Sequence, residues 1–362
     1  MPQTRTIVVV TGSRAEFGLL LPVMRAIMEQ DGLLLRTVMT GTHLITQTWR
    51  DITEAGIAID AKAPMQVKGE VGRAADVASL GRGIIAIGEA LAGIHPRPRI
   101  VVVLGDRIEA LAGAMAASIG GLHLAHIHGG DRAEGVADEA IRHAISKFAH
   151  LHFAATATSR KRLIRMGEDP DLVFNTGSPA ADGLADIAPS GDGPELIVLQ
   201  HPIGATEPEE RRWLEQTLRA TATLHRLVLA PNQDPGCAGS RAALLDAKVD
   251  VTDHLPRPQF LALLAGAKAI VGNSSAGLIE AAVLGVPAVN VGPRQAGREK
   301  PSNIVDCEYG VEAVSAALKK AMKLDLSAMR HPYGDGRAGR QIAELLASID
   351  LAAVSQRKRN MY

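Results

Sequence analysis

Short apolar segments, each followed by a glycine-bearing polar turn and then by a helical pattern, recur along the sequence. The run Ile7–Val10 leads into Gly12-Ser13, and the run Ile100–Leu104 leads into Gly105-Asp106. Strands that alternate with helices in this way are typical of a parallel sheet with helices on both faces. We therefore predict an α/β fold, in which functional side chains gather at the carboxyl ends of the strands.

The alternation occurs in two series, and the length of 362 residues also suits two domains. Residues 184–194 separate the series and have the proline and glycine content of a linker. We predict an N-terminal α/β domain over residues 1–183 and a C-terminal α/β domain over residues 195–335. Residues 336–362 are predicted to contain a helix that packs back toward the N-terminal domain. The last residues, QRKRNMY, are expected to be frayed.

Composition limits the partners of the chain. Lysine plus arginine and aspartate plus glutamate both number 39, so the neutral chain offers no electrostatic basis for binding nucleic acid or an anionic membrane. No apolar run approaches the roughly 20 residues that cross a bilayer. The first residues, MPQTRTIVVV, lack the apolar region of a signal peptide. Two cysteines, Cys237 and Cys307, provide no disulfide framework and suit a reducing compartment, so we expect a cytoplasmic protein.

The segment Ala125–Lys147 concentrates polar side chains directly after a predicted strand. Its sequence is AHIHGGDRAEGVADEAIRHAISK, with three histidines and four acidic residues. The acidic residues are Asp131, Glu134, Asp138 and Glu139. One interpretation is a solvated helix start with ordinary i,i+4 ion pairs. The other is a catalytic loop, which gives the glycine-rich polar turn a purpose.

A second polar turn, Asn273-Ser274-Ser275-Ala276-Gly277, lies between a predicted strand and a predicted helix. Ser274 and Ser275 can cap that helix, whose free N–H groups and dipole favour an anion. Glu280 follows one to two turns later, where its carboxylate can accept hydrogen bonds from ribose hydroxyls. Helix capping explains only one of the two serines. Both serines and Glu280, together with Arg294, favour the binding of a nucleotide diphosphate.

The histidines do not predict a metal site. His126 and His128 alternate along a predicted strand and face one side, but they lack the third and fourth ligands of a zinc site. His201 precedes Pro202 at the end of another predicted strand. It is either a structural histidine or one that transfers a proton to, or hydrogen-bonds with, a substrate.

Several segments taken together resemble the hydrolysing UDP-N-acetylglucosamine 2-epimerase family of sialic and legionaminic acid biosynthesis. They are TGSRAEFG, GDRIEA, HIHGGDRAEGVADEAIRHAISKFAHLHF, HP, APNQD and GNSSAGLIEAAVLGVPAVNVGPRQAGR. These segments occur in the same order as in the family and span most of the chain, which makes the resemblance more specific than any single motif. The resemblance implies two doubly wound Rossmann-like domains that face a cleft, as in GT-B glycosyltransferases, with the nucleotide held mainly by the C-terminal domain.

The resemblance also implies individual site residues. Those implied to serve catalysis are Asp106, Glu134, Asp138 and His201. Those implied to bind the substrate or its nucleotide are Arg14, His43, Arg107, Asn232, Ser274, Ser275, Glu280 and Arg294. Some members carry a glutamate where this sequence has His128, which leaves the acid of the loop open between Glu134, our choice, and Asp131. We expect no metal, no cofactor and a homo-oligomer, either a dimer or a tetramer.

The reaction that the resemblance implies converts UDP-GlcNAc to ManNAc and UDP, by elimination to a glycal and rehydration with inversion at C2. One alternative is the same reaction on UDP- or GDP-2,4-diacetamido-2,4,6-trideoxyglucose. Another is the non-hydrolysing UDP-GlcNAc 2-epimerase reaction. A GT-B glycosyltransferase and an inactive nucleotide-sugar sensor are further alternatives, and product analysis separates all of them.

Overall fold

The computed structural model describes residues 4–70, 72–132, 138–232, 234–253 and 255–362. They form two compact units. The first comprises the described parts of residues 1–131, 138–182 and 334–362, and the second contains Gly183–Tyr333. Each unit is a parallel sheet whose strands alternate with helices, so the predicted α/β class with two Rossmann-like domains is confirmed.

The first unit is built on a seven-stranded sheet with the order β3-β2-β1-β4-β5-β6-β7. Its strands are β1 (Arg5–Thr11), β2 (Leu33–Thr40), β3 (Ala61–Ala63), β4 (Ile100–Leu104), β5 (His123–Ile127), β6 (Leu151–Ala154) and β7 (Val173–Asn175). All neighbouring strands run parallel. The strand order reverses between β1 and β4, and ligands of open α/β sheets bind outside the carboxyl ends at such a point.

Helices cover both faces of this sheet. They are α1 (Arg14–Glu29), α2 (Thr42–Thr46), α3 (Trp49–Glu54), α4 (Arg73–Gly93), α5 (Ile108–Ile119), α6 (Asp138–Phe148), α7 (Ala157–Arg165) and the C-terminal helix Ala338–Ser348. Side chains alternate along β1, so Ile7 and Val9 pack with α1 and the C-terminal helix, whereas Val8 and Val10 pack with α4 and α5. Two apolar layers therefore bury the central strands, which explains their nearly continuous apolar sequences.

The second unit is built on a six-stranded parallel sheet with the order β10-β9-β8-β11-β12-β13. Its strands are β8 (Leu196–Leu199), β9 (Arg226–Leu229), β10 (Val251–Thr252), β11 (Ala269–Gly272), β12 (Ala288–Val291) and β13 (Ile304–Cys307). Its helices are α8 (Glu207–Ala220), α9 (Cys237–Asp246), α10 (Arg257–Gly266), α11 (Glu280–Val283) and α12 (Val311–Ala321). The strand order reverses between β8 and β11, the strands that precede His201 and Asn273.

The segment after β11 differs from the predicted regular helix. Ser275–Gly277 forms a single 3-10 turn, and α11 follows with only four residues. Ser274 caps the turn, because its side-chain oxygen accepts a hydrogen bond from the Ala276 N–H (3.3 Å). So short a helix has little dipole, so the helix-dipole argument for an anion at this turn loses most of its force.

The prediction that the last residues are frayed is wrong. The Lys358 ammonium donates to the Ser146 carbonyl (2.8 Å) and forms an ion pair with the Glu168 carboxylate, which is 1% exposed. The Met361 N–H donates to the Gly167 carbonyl (2.9 Å). A buried carboxylate such as that of Glu168 is stable only with a charged partner, and its ion pair with Lys358 holds the basic tail in place.

Within the described residues, no helix combines the length and apolar character needed to cross a bilayer.

Candidate active site

Asp106 lies at the carboxyl end of β4, beside the reversal of strand order in the first sheet. The preceding residue, Gly105, has a φ of +80°, a left-handed conformation that glycine adopts readily. The Gly105 N–H donates to the Ile127 carbonyl (3.0 Å), and the Gly105 carbonyl accepts a hydrogen bond from Nε2 of His126 (2.8 Å). Two hydrogen bonds to β5 therefore fix the backbone that presents Asp106.

His126 serves this turn as a structural histidine. It is fully buried, and burial lowers its pKa to about 3, so the ring is neutral at neutral pH. Because Nε2 faces a carbonyl, it carries the proton, and Nδ1 accepts a hydrogen bond from the Ser146 hydroxyl (3.0 Å). His126 thus connects β5, the turn after β4 and helix α6.

Arg142, on α6, joins two carboxylates. Its side chain is 2% exposed; one terminal nitrogen forms an ion pair with Oδ2 of Asp106, and the other lies 3.5 Å from Oδ2 of Asp131. Oδ1 of Asp131 accepts a hydrogen bond from the Ser159 hydroxyl (2.6 Å). Helix α5 begins after Arg107, whose side chain makes no cap hydrogen bond.

The rest of the predicted acidic loop is only partly described. Glu134 lies outside the described residues, and Asp138 is the first residue of α6, with no description of its side chain. His128 has a φ of +63°, which is uncommon for a residue other than glycine. Its Nε2 lies 2.9 Å from the Ser178 hydroxyl, and its Nδ1 lies 3.9 Å from Oδ2 of Asp131. His128 therefore extends the polar cluster around Asp131.

Three predicted binding residues of the first unit have partners within it. Arg14 forms an ion pair with Asp51 (2.7 Å), and both side chains are about one-third exposed. His43 is fully buried, with Nε2 3.1 Å from the Thr11 hydroxyl and Nδ1 2.8 Å from the Thr48 hydroxyl. Burial lowers the pKa of His43 to about 4, so the ring is neutral. Direct contact between His43 and a ligand stays a prediction.

Arg107, the third of these residues, points to a carboxylate that the sequence reasoning missed. Its Nε lies 3.2 Å from Oε2 of Glu109, which is fully buried and also accepts a hydrogen bond from the Gln66 amide (2.7 Å). A Cβ atom at Gly12 or Gly41 would come within 3 Å of the Glu109 side chain. The sequence signal for this buried side chain is the glycine that follows each of the neighbouring strands β1 and β2. Glycine is common where another group approaches the backbone closely.

A second missed carboxylate, Glu16, lies close to Glu109. It is 5% exposed and accepts a hydrogen bond from the Gly12 N–H (2.7 Å). Burial, and to a smaller extent the charge of Glu109, raise the pKa of Glu16 to about 8. Glu16 is therefore largely protonated at neutral pH.

In the second unit, His201 follows β8 and is oriented by backbone and amide groups. The Asn273 side chain bonds both to its N–H (2.6 Å) and to its carbonyl (2.8 Å). The Asn232 N–H donates to Nδ1 of His201 (3.1 Å), so the neutral ring carries its proton on Nε2. Burial lowers the pKa of His201 to about 3, and the charge of Arg294 contributes to the decrease. His201 is therefore a neutral hydrogen-bond donor through Nε2.

Arg294 and Asn232 belong to the same cluster. Arg294 is 16% exposed and lies 3.4 Å from both the Asn273 carbonyl and Oδ2 of Asp234. The Asn232 amide donates to the same oxygen of Asp234 (2.5 Å). One carboxylate thus holds a guanidinium and an amide next to His201, and these groups are donors suited to an anion.

Glu280 has a partner that sequence reasoning also missed. Its side chain is 7% exposed, and Nη1 of Arg257 donates to its Oε1 (2.9 Å). Arg257 begins α10, more than twenty residues earlier, and no local pattern connects the two positions. Ser274 and Ser275 are partly buried beside the 3-10 turn.

In the described part of the chain, no group of three or more histidine, cysteine, aspartate or glutamate side chains is placed to hold a metal ion.

The two parallel-sheet units, with polar clusters at the carboxyl ends of their strands, define a protein of the GT-B type. Residues 25–347 match the UDP-N-acetylglucosamine 2-epimerase family. The chain belongs to that family.

Known proteins resemble the chain over almost its whole length. It is 32% identical to the UDP-N,N'-diacetylbacillosamine 2-epimerase (hydrolyzing) of Legionella pneumophila, over 99% of this chain and 100% of that protein. It is 30% identical to the UDP-N-acetylglucosamine 2-epimerase of Neisseria meningitidis, over 98% of each. The crystal structure of the Methanocaldococcus jannaschii UDP-GlcNAc 2-epimerase with UDP-GlcNAc and UDP has a TM-score of 0.78 and 18% identity, covering 94% of this chain and 99% of that one.

Proposed function

We propose that the chain is a hydrolysing 2-epimerase that converts UDP-GlcNAc and water to ManNAc and UDP. The observation that carries this proposal is the pair of carboxylates, Asp106 and Asp131, held on one guanidinium at the carboxyl edge of the first sheet. Membership of the family and the full-length relatives named as 2-epimerases of UDP-sugars support the choice of substrate.

The chemistry of C2 explains why carboxylates are needed. The C2 proton is not adjacent to a carbonyl, so it becomes acidic only as the C1–O bond to UDP breaks. Positive charge then develops on C1 and the ring oxygen, and negative charge on the departing diphosphate. Loss of the C2 proton leaves a glycal. Water then adds its oxygen to C1 and a proton to the opposite face of C2, which gives the inverted free sugar.

We assign the proton transfers at C2 to acidic groups of the first unit. Asp106 removes the proton, and its ionised form also favours the cation at C1. Glu134 remains our choice for the second acidic group, with Asp131 as the alternative and Asp138 as a further participant. General acid–base groups of this kind contribute roughly 10²–10⁴-fold to a rate.

We assign the nucleotide mainly to the second unit. Arg294, Asn232 and the turn at Ser274 and Ser275 supply donors for the diphosphate, and Glu280, oriented by Arg257, accepts hydrogen bonds from the ribose. Arg14, His43 and Arg107 are proposed as further contacts from the first unit. Removing one preorganised donor from a developing anion costs roughly 3–4 kcal/mol.

His201 has a defined part in this scheme. Since its Nδ1 accepts the Asn232 N–H and its ring is neutral, Nε2–H is the group that it offers. We propose that this N–H donates a hydrogen bond to the diphosphate oxygen that leaves C1. The role requires no change in protonation of the ring.

A second candidate substrate is UDP-N,N'-diacetylbacillosamine. The relative named for hydrolysing this compound is 32% identical over 99% of this chain. The two candidates differ at C4 and C6 of the sugar and share the same chemistry at C1 and C2.

Product analysis tests the proposal. The protein is incubated separately with UDP-GlcNAc, with UDP-N,N'-diacetylbacillosamine and with its GDP analogue, and the products are separated by chromatography and identified by proton NMR, which distinguishes C2 epimers. We expect UDP and a free sugar from at least one of the UDP compounds. A 2-epimerised UDP-sugar without free sugar would assign the non-hydrolysing reaction, and no product from any of them would reject both.

A further inference from the structure

Arg142 is among the largest fully buried side chains of the described chain. A guanidinium withdrawn from water is retained only where its charge is paired. Its two described carboxylate partners, Asp106 and Asp131, come from the turns after β4 and β5. Residues from three different elements thus meet at one cation. One of the carboxylates is that of Asp106, the proposed base, and the other is that of Asp131, the alternative to Glu134 as the second acidic group.

The backbone of Arg142 is tied to the same turn as Asp106. The Ser146 hydroxyl oxygen lies 3.1 Å from the Arg142 carbonyl and 3.0 Å from Nδ1 of His126, so these two acceptors share its one proton. The opposite nitrogen of His126 donates to the Gly105 carbonyl (2.8 Å), one residue before Asp106. Arg142 and Asp106 therefore connect twice, directly by an ion pair and indirectly through Ser146 and His126.

We propose that Arg142 is a positioning residue for the epimerisation, which fixes the Asp106 and Asp131 carboxylates in one orientation and neutralises one of their two charges. The inference rests on the proposed function, because Asp106 is taken to remove the C2 proton. The Arg142 cation offsets part of the carboxylate charge beside the site where a cation develops at C1. Without it, the two neighbouring carboxylates repel each other.

The shape of the guanidinium is part of the proposal. Two terminal nitrogens in one plane can each face a different carboxylate, whereas the ammonium of lysine is a single point charge. Arg142→Lys preserves the charge but loses the fork, and Arg142→Met preserves much of the volume but loses the charge. Arg142→Lys therefore tests the orientation of the carboxylates at constant charge, and Arg142→Met tests the loss of the positive charge.

The kinetic test uses the full-length protein with the UDP-sugar from which it releases most UDP. We expect Arg142→Lys and Arg142→Met each to lower kcat by about a hundredfold, the scale for a misplaced catalytic group. UDP affinity, measured by titration calorimetry, should stay within about twofold of wild type, since a tenfold change would already require a lost contact. Added guanidinium ion, below denaturing concentrations, should restore part of the kcat of Arg142→Ala and none of that of Asp106→Asn.

Arg160→Lys is the matched control. Arg160 lies on α7 in the same unit and donates to the Val173 carbonyl (2.8 Å) and the Pro170 carbonyl (3.1 Å), with no carboxylate among these partners. Its kcat should equal that of wild type. Near-wild-type kcat in Arg142→Lys, or no rescue of Arg142→Ala by guanidinium, would overturn the positioning role.

A stability cycle separates this proposal from the proposed function. Melting temperatures are measured for wild type, Arg142→Met, Asp131→Asn and the double variant. We expect Asp131→Asn to lower the melting temperature of wild type and to raise that of Arg142→Met, because the second change removes an uncompensated carboxylate. Additive shifts would reject the pairing itself. Absence of UDP release by wild type, with strong coupling in the cycle, would instead reject the proposed function.

Discussion

The backbone N–H of Asn232 donates a hydrogen bond to Nδ1 of His201 across 3.1 Å, and this contact decides which nitrogen of the imidazole carries the proton. Because Nε2 already carries the proton, the ring can take up a second proton only at Nδ1, which would make it an imidazolium and break the contact with Asn232. The pKa of His201, lowered to about 3 by burial and by Arg294, opposes that charge. A histidine at a strand end therefore acts here as a neutral donor rather than as the general base that its type suggests.

The first prediction follows from this donor role. His201→Gln, which retains an N–H donor, should keep more activity than His201→Leu, whose kcat should fall by about a hundredfold or more, as for the loss of a preorganised donor. The kcat/KM profiles of wild type and His201→Gln between about pH 6 and 8 should have the same shape, since the ring does not titrate there. A titration step near neutral pH that disappears in His201→Gln would contradict the assignment.

The second prediction concerns Asp106. Asp106→Asn keeps the shape of the side chain and much of its hydrogen bonding but removes its charge and basicity. We expect kcat to fall by at least about a hundredfold, with UDP binding preserved. Melting and UDP titration on the same sample provide the control. If activity persists near wild type, Asp106 is a scaffold residue, and the base must be sought at Glu134, Asp138 or Asp131.

The third prediction concerns nucleotide binding. Glu280→Ala should raise KM more than it lowers kcat, because the residue is proposed to hold the ribose away from the reacting carbon. The increase should be about tenfold, since a hydrogen bond to a charged group contributes roughly 1.5–3 kcal/mol. Glu280→Gln, which keeps an acceptor, should show a smaller increase. An unchanged KM in a folded Glu280→Ala protein would remove Glu280 from the site.

The fourth prediction concerns stability and pH. The pKa of Glu16 is raised by burial from 4.5 to about 8, so between these pH values the folded protein holds a proton that the unfolded chain releases. Stability from this group is complete below about pH 4.5 and is lost as pH rises toward 8, by ~1.4 kcal/mol per pH unit. Glu16→Gln keeps an acceptor for the Gly12 N–H and removes this loss.

Urea denaturation at pH 5 and pH 8 measures the effect. Glu16→Gln should be more stable than wild type at pH 8 by at least about 1 kcal/mol, and the advantage should shrink at pH 5. A variant less stable than wild type at pH 8 would show that Glu16 is ionised in the folded protein.

The sequence predicts those features that depend on neighbouring residues. Ile100–Leu104 is an apolar run bounded by polar turns, and its predicted bounds match β4. Strands β3 and β13 have no such pattern, because the first has three residues around an exposed lysine, Lys62, and the second contains an aspartate, Asp306. Periodicity gives little signal over such short mixed segments.

The polar clusters depend on tertiary contacts that no local pattern encodes. Asp106 and Arg142 form an ion pair although they are thirty-six positions apart. The Arg257–Glu280 ion pair and the contact of Lys358 with Glu168 likewise join distant segments. The residue types at the strand ends indicate where a site lies. The ion-pair partner of each charged side chain can be identified only from the folded structure.

Proton NMR in heavy water distinguishes elimination to a glycal from any route that leaves the C2 proton in place. The protein is incubated with UDP-GlcNAc in deuterium oxide, and the signals of the anomeric and C2 protons are followed with time. The account predicts UDP and free ManNAc in which C2 carries deuterium, since the proton removed in elimination is replaced from solvent. Should the ManNAc retain its original C2 proton, or GlcNAc be released without inversion, elimination to a glycal at this site would be contradicted.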